Sequence, residues 1–239
     1  MSDTHPRPLV FTHLHKCAGS SLRRMLHRLF VDRVPPERMH VPELTGPAET
    51  NLPMLEARGA PLPTDLLLLA DHSPFGVYDA RVLAPGTPFR VTLLREPLDR
   101  FESYVHFCAR AGFVPDAWAA HAADLPRMPD DVLLALVERF DRESGAVAWL
   151  DPTGNDSAAA VANLRRFDVV ARHDDLAGFG RMFDARNPYG LRFGTDVLHV
   201  NRTPRPSRLS GRQRRVVAER LAREVAFWES DEVQGAMRS

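Results

Sequence analysis

Pro8-Leu9-Val10-Phe11-Thr12-His13-Leu14-His15, followed by Lys16-Cys17-Ala18-Gly19-Ser20-Ser21, is the stretch that decides how this chain folds. The first eight residues read as a short strand, bounded by Pro8 and by a turn of small residues. Beyond the turn, Leu22, Met25, Leu26 and Leu29 recur at i, i+3, i+4 and i+7, the apolar stripe of a helix. Strand, small-residue turn and helix together aim backbone N–H groups and the positive end of a helix dipole at an anion. Lys16 stands in that turn as the sole lysine; every other one of the 31 basic residues is arginine. Where arginine has replaced lysine so completely, the surviving position needs a compact ammonium that a planar guanidinium does not imitate.

The same alternation continues outward. Leu66 to Ala70 is a continuously apolar run, as a buried parallel strand requires. Phe89 to Leu94 reads as a third strand, ending at Arg95, after which Pro97 opens a helix with Leu98, Phe101 and Val105 on one face. Asp130 to Phe140 reads as an amphipathic helix, Phe167 to Ala171 as a strand, and Val197 to Val200 as a further strand. Ser210 and Gln213 form a capping box for a last helix striped by Val217, Leu221, Val225 and Trp228. These elements predict a single α/β domain over 1–239, with a mainly parallel sheet flanked by helices. Seven of the 20 prolines fall between Val31 and Asp65, which predicts an irregular loop or lid there. Residues 110–165 are expected to be helical and to shape the second-substrate side.

Composition bounds the function. With 31 basic against 31 acidic residues the net charge is zero, which argues against a general nucleic-acid binder. No apolar run approaches the ~20 residues that span a bilayer, and no apolar segment precedes Leu9, so neither an integral membrane segment nor a signal peptide is expected. Two cysteines, Cys17 and Cys108, make no disulfide framework and suit a reducing, cytoplasmic setting. In parallel sheets ligands gather at the carboxyl ends of strands. Lys16 follows the first strand, His72 the second and Arg95 the third; with a loop of N–H donors they describe a site for a ligand carrying several phosphate-like groups.

Three segments carry a family resemblance. His13-Leu14-His15-Lys16-Cys17-Ala18-Gly19-Ser20-Ser21-Leu22 resembles the phosphosulfate-binding loop of sulfotransferases, in the branch of the heparan sulfate 2-O-sulfotransferases and related bacterial enzymes. Leu94-Arg95-Glu96-Pro97-Leu98-Asp99-Arg100-Phe101-Glu102-Ser103-Tyr104 is similar to that family's 3′-phosphate motif, with Arg and Ser eight residues apart. Asp71-His72-Ser73-Pro74-Phe75-Gly76 resembles its Gly-His-x-x-Phe segment, and weaker similarity runs through Phe167 to Phe179 and His199 to Arg205. The resemblance implies an α/β fold with a P-loop-like strand, loop and helix. It implies 3′-phosphoadenosine 5′-phosphosulfate as donor co-substrate, adenosine 3′,5′-bisphosphate as product, a carbohydrate or small-molecule hydroxyl as acceptor, and no metal. Lys16 and the N–H groups of Cys17, Ala18, Gly19, Ser20 and Ser21 would hold the leaving phosphate. His72 would be the general base, Arg95 and Ser103 would hold the 3′-phosphate, and Arg202, Thr203 and Arg205 would lie near the adenosine end. The chain departs from the pattern at His15 (usually Pro), at Asp71 (usually Gly), and at Ala70, where some members carry a second histidine. Asp71, beside His72, is expected to raise the imidazole pKa.

Other chemistries fit parts of the chain. Cys17 and Arg23 make a Cys-x₅-Arg pattern, the phosphate cradle of cysteine-dependent phosphatases, although Arg24 stands where those enzymes have Ser or Thr and His72 and Arg95 stay unused. A Gly-x₄-Gly-Lys-Ser/Thr string is absent. His13 and His15 alternate on a strand but lack the further ligands of a structural zinc site. A non-catalytic nucleotide-binding protein would keep the same loop. The six arginines from Arg202 to Arg215 would serve either as a solvated face or as an anion contact.

Overall fold

The computed structural model describes residues 7–45, 51–193 and 207–238. Five parallel strands form one sheet in the order β2-β3-β1-β4-β5: β1 (Leu9–Thr12), β2 (Met39–His40), β3 (Leu68–Asp71), β4 (Phe89–Leu94) and β5 (Val169–Arg172). Thr12 lies beside Asp71 of β3 and Thr92 of β4, so the three central strands end almost level. The chain moves to one side of β1 for β2 and β3 and to the other for β4 and β5, which makes the carboxyl end of β1 the switch point where such sheets bind ligands.

The central strands are buried on both faces. Leu9 and Phe11 pack with Leu22, Met25, Leu26 and Phe30 of α1 (Gly19–Phe30). Val10, between them, faces the other way, onto Leu52 of α2 (Leu52–Ala57) and Tyr78 and Val82 at α3 (Asp79–Val82). That double burial is why β1 and β3 are mostly apolar runs rather than alternations, while β4 buries Arg90 and Thr92 between its apolar residues. α4 (Pro97–Arg110) starts at Pro97 and is capped by Glu96, whose carboxylate accepts from the N–H groups of Leu98 and Asp99.

Residues 110–165 are mostly helical, as expected, and hold α5 (Asp116–His121), α6 (Asp130–Ser144), α7 (Ala146–Leu150) and α8 (Ser157–Leu164). After β5 comes α9 (Leu176–Arg186). A second, helical core joins Phe101 and Val105 of α4 with Leu133, Leu136 and Phe140 of α6 and with Val217 and Leu221.

Three expectations change. The Val31–Asp65 stretch is not wholly irregular: Met39 and His40 pair with Leu68 and Leu69 as an edge strand, and α2 is capped by Asn51. The strand expected from Leu66 begins at Leu68, because Leu66 bridges Leu83 instead. The last helix keeps its Ser210–Gln213 capping box but is three helices, α10 (Gly211–Arg220), α11 (Ala222–Glu229) and α12 (Asp231–Ala236). The break at Leu221 re-aims the stripe, so Val217 and Leu221 enter the helical core and Phe227 the sheet core. The strand expected at Val197 to Val200 lies outside the described residues. Among the described residues no helix is long and apolar enough to cross a membrane.

Candidate functional site

The loop between β1 and α1 is shaped by two non-glycine residues in the left-handed region, Lys16 at φ 63° and Ala18 at φ 57°. Such conformations cost on the order of 1–3 kcal/mol each and persist where a loop must present its backbone in one way. α1 begins at Gly19 without a side-chain cap, so its first N–H groups are left to the loop's own surroundings. Gly19 is demanded by contact: a Cβ there would lie 1.8 Å from the His13 ring. Cys17 is buried, with its Sγ 3.7 Å from the His15 carbonyl oxygen, while Ala18 and Ser20 are half-buried and Ser21 is buried.

Three histidines meet at the level strand ends. The His13 and His72 rings stack at 3.7 Å, and His15 meets His72 edge-on at 4.4 Å. Trp149 of α7 closes the group, 5.1 Å from His15 and 6.4 Å from His72. His72 Nδ1 lies 2.9 Å from the His13 carbonyl oxygen. A carbonyl only accepts, so Nδ1 carries the proton and the neutral ring keeps a lone pair on Nε2. Burial, and then neighbouring His15, hold the His72 pKa well below the ordinary histidine value. Burial and the nearby His72 do the same to His13, and burial and Arg100 bring His15 to about 4. The expectation that Asp71 raises the His72 pKa is therefore corrected. Asp71 is fully buried on β3 and its carboxylate is engaged elsewhere, accepting from Leu52 N at 2.7 Å and from the backbone N–H of His72 at 2.6 Å.

Lys16 and Arg95 come together through the backbone, where Arg95 Nη1 donates to the Lys16 carbonyl at 3.0 Å. Arg95 is buried and also pairs with Asp99 at 3.1 Å. The Lys16 ammonium lies over the Phe107 ring of α4, 4.1 Å from its centroid. Burial, then the positive charges of Arg110 and Arg95, lower its pKa to about 8. Asp99, Ser103 and Phe107 succeed one another at i+4 along α4, so buried Ser103 lies on the face that meets Lys16. Of the basic stretch near the C-terminus, Arg208 pairs with Asp99 and Glu102, Arg214 with Glu102 and Arg212 with Asp130. Those three serve an internal ion-pair network, and Arg202, Thr203 and Arg205 lie outside the described residues.

The Cys-x₅-Arg geometry is weakened by two placements. Burial pushes the Cys17 thiol pKa up, and Arg23 faces the Pro42 carbonyl and the Glu43 carboxylate. Among the described residues no three His, Cys, Asp or Glu side chains are grouped to hold a metal ion.

Several site residues were invisible to sequence reasoning. Trp149 and Ser144 reach His15 across more than a hundred residues. Glu224 of α11 accepts from the N–H groups of Ala146 and Val147 at 2.7 and 2.9 Å, capping α7, and pairs with Arg100 of α4 at 3.0 Å. The one local signal was Gly145 between α6 and α7, where an added Cβ would meet the Asp141 carbonyl oxygen at 2.7 Å. No protein-family model matches the chain, and no curated protein sequence matches it.

Proposed function

We propose that this chain is a sulfotransferase that moves a sulfuryl group from 3′-phosphoadenosine 5′-phosphosulfate to an acceptor hydroxyl. The observation that carries the proposal is the His72 imidazole at the end of β3. Its Nδ1 proton is committed to the His13 carbonyl, so Nε2 is left as a base, and it stands beside the strained Lys16 loop. The transfer is an in-line displacement in which positioning and electrostatics do most of the catalysis. The acceptor hydroxyl gives its proton to His72 Nε2 while its oxygen bonds to sulfur. The bond from sulfur to the 5′-phosphate oxygen breaks, and that phosphate leaves with the negative charge. Lys16 and the backbone N–H groups of Cys17 to Ser21 would stabilise this charge. Lys16 would leave the face of Phe107 to do so. Arg95 and Ser103 would take the 3′-phosphate, with Arg95 exchanging its bond to Asp99 for the ligand. Two free, buried thiols, Cys17 and Cys108, suit a reducing compartment, and we assign the chain to the cytoplasm on that basis.

The test is reverse transfer from 4-nitrophenyl sulfate to adenosine 3′,5′-bisphosphate, followed by nitrophenolate absorbance. The wild type should release nitrophenolate only when the bisphosphate is present. Lys16→Arg should nearly abolish release despite keeping the charge, because a guanidinium does not occupy the point an ammonium does. His72→Ala should slow it by roughly 10²–10⁴. Cys17→Ser should keep most of the activity. Release from 4-nitrophenyl phosphate that is independent of the bisphosphate and lost in Cys17→Ser would instead indicate a cysteine-dependent phosphatase.

A further inference from the structure

His15 is unused by the transfer just described, yet it is the ring closest to His72 after His13. It is half-buried and meets His72 edge-on at 4.4 Å. Its Nδ1 lies 3.3 Å from Ser144 Oγ, at the end of α6. Ser144 is fully buried, and among the described residues its hydroxyl has no other hydrogen-bond partner. Were His15 Nδ1 to donate to Oγ, the buried hydroxyl proton would be left without an acceptor, so the satisfied arrangement has Ser144 O–H donating to His15 Nδ1. The His15 proton is then on Nε2. Neither His15 Nε2 nor His72 Nε2 is sealed inside the protein, and neither has a hydrogen-bond partner among the described residues.

The two neighbouring imidazoles therefore hold opposite tautomers: His72 offers a lone pair at Nε2, and His15 offers an N–H. We propose that His15 is a second acceptor-binding residue, whose Nε2–H donates to the oxygen of the same hydroxyl that gives its proton to His72. An alcohol or phenol oxygen both donates one hydrogen bond and accepts another, so it satisfies both rings. An ammonium only donates and leaves the His15 N–H facing a like donor, so the pair selects hydroxyls over protonated amines. The donor character needs no protonation, because His15 stays neutral at pH 7. Around it stand His72, Lys16, Arg100, Arg23 and Glu143, of which only Glu143 favours the charged ring. This proposal rests on the sulfotransferase reading for its chemistry, but the tautomers do not.

The experiment has two arms. Long-range ¹H–¹⁵N correlation spectra of the full chain at pH 7 report which nitrogen of each histidine is protonated. Nδ1–H for His72 and Nε2–H for His15 are expected, with Ser144→Ala shifting His15 toward Nδ1–H. Nδ1–H at His15 in the wild type, or a spectrum unmoved by Ser144→Ala, overturns the proposal whether or not the chain transfers sulfuryl groups. In the second arm, His15→Phe keeps the ring and removes the N–H. It should raise KM for a nitrophenol acceptor at least tenfold and leave adenosine 3′,5′-bisphosphate affinity within twofold. An unchanged KM in a wild type that does transfer overturns the proposal. A wild type that binds no bisphosphate and transfers nothing overturns the sulfotransferase reading, and with it the acceptor role of His15.

Discussion

Gly19 and Lys16 carry the most exacting demands in the loop. The His13 ring is held between the Gly19 Cα and the His72 ring, so Gly19→Ala forces His13 off its stack. Overpacking of this kind costs about 1–3 kcal/mol, and the melting temperature should fall accordingly. Gly19→Ala combined with His13→Ala should recover part of the loss, since the clashing ring is gone; a double variant no more stable than Gly19→Ala would contradict the contact. Lys16 makes a separate prediction. In the proposed transfer its ammonium must be charged to neutralise the leaving phosphate, and burial beside Arg110 and Arg95 lowers its pKa to about 8. The rate at limiting substrate should therefore fall as pH rises through about 8, while kcat holds to higher pH because a bound polyanion favours the charged amine. The acid limb, which the proposed base His72 would set, should lie well below neutral pH. A pH–rate profile of kcat/KM and of kcat checks all three limbs.

Among the elements, α7 depends on a residue far along the chain. Glu224 caps its N-terminus and neutralises Arg100, and both ion-pair partners are about 1% exposed. Glu224→Gln leaves Arg100 buried with its charge uncompensated, so a loss of about 3–5 kcal/mol is expected in denaturant unfolding. Arg100→Met with Glu224→Gln should cost less than Glu224→Gln alone, because no charge is then left buried while the Gln side-chain oxygen still accepts at the start of α7. Trp149 sits on the same short helix, so the Glu224 variants should also alter its fluorescence. This pair illustrates what the sequence could and could not disclose. β4 was legible residue for residue, because Phe89, Val91, Leu93 and Leu94 recur between the punctuating Pro88 and Pro97, even with Arg90 and Thr92 among them. β2 was not, since two residues carry no periodicity. The order Lys16, His72, Arg95 could be read because His72 and Arg95 follow their strands directly and Lys16 stands in the turn just beyond β1. Ser144, Trp149 and Glu224 reach the site only through packing between α6, α7 and α11, and no local spacing encodes that.

Taken as one folded unit, the molecule stores three neutral histidines at the end of its sheet. Each has a folded pKa below its unfolded value, so the unfolded chain binds protons first as pH falls. Stability from this group is complete above pH 6.5 and is lost as pH drops toward the folded values, about 4 for His15. His15→Phe should flatten that acid decline by on the order of 2–3 kcal/mol, read as unfolding free energy against pH. The donor site itself is tested most directly by calorimetric titration of the wild type and of Arg95→Ala with adenosine 3′,5′-bisphosphate and with AMP. Arg95 is proposed to take a 3′-phosphate that AMP lacks, so the substitution should weaken the bisphosphate by roughly ten- to a hundredfold, about 1.5–3 kcal/mol, and leave AMP nearly unchanged. Equal losses for both ligands, or a wild type that does not prefer the bisphosphate, would contradict it.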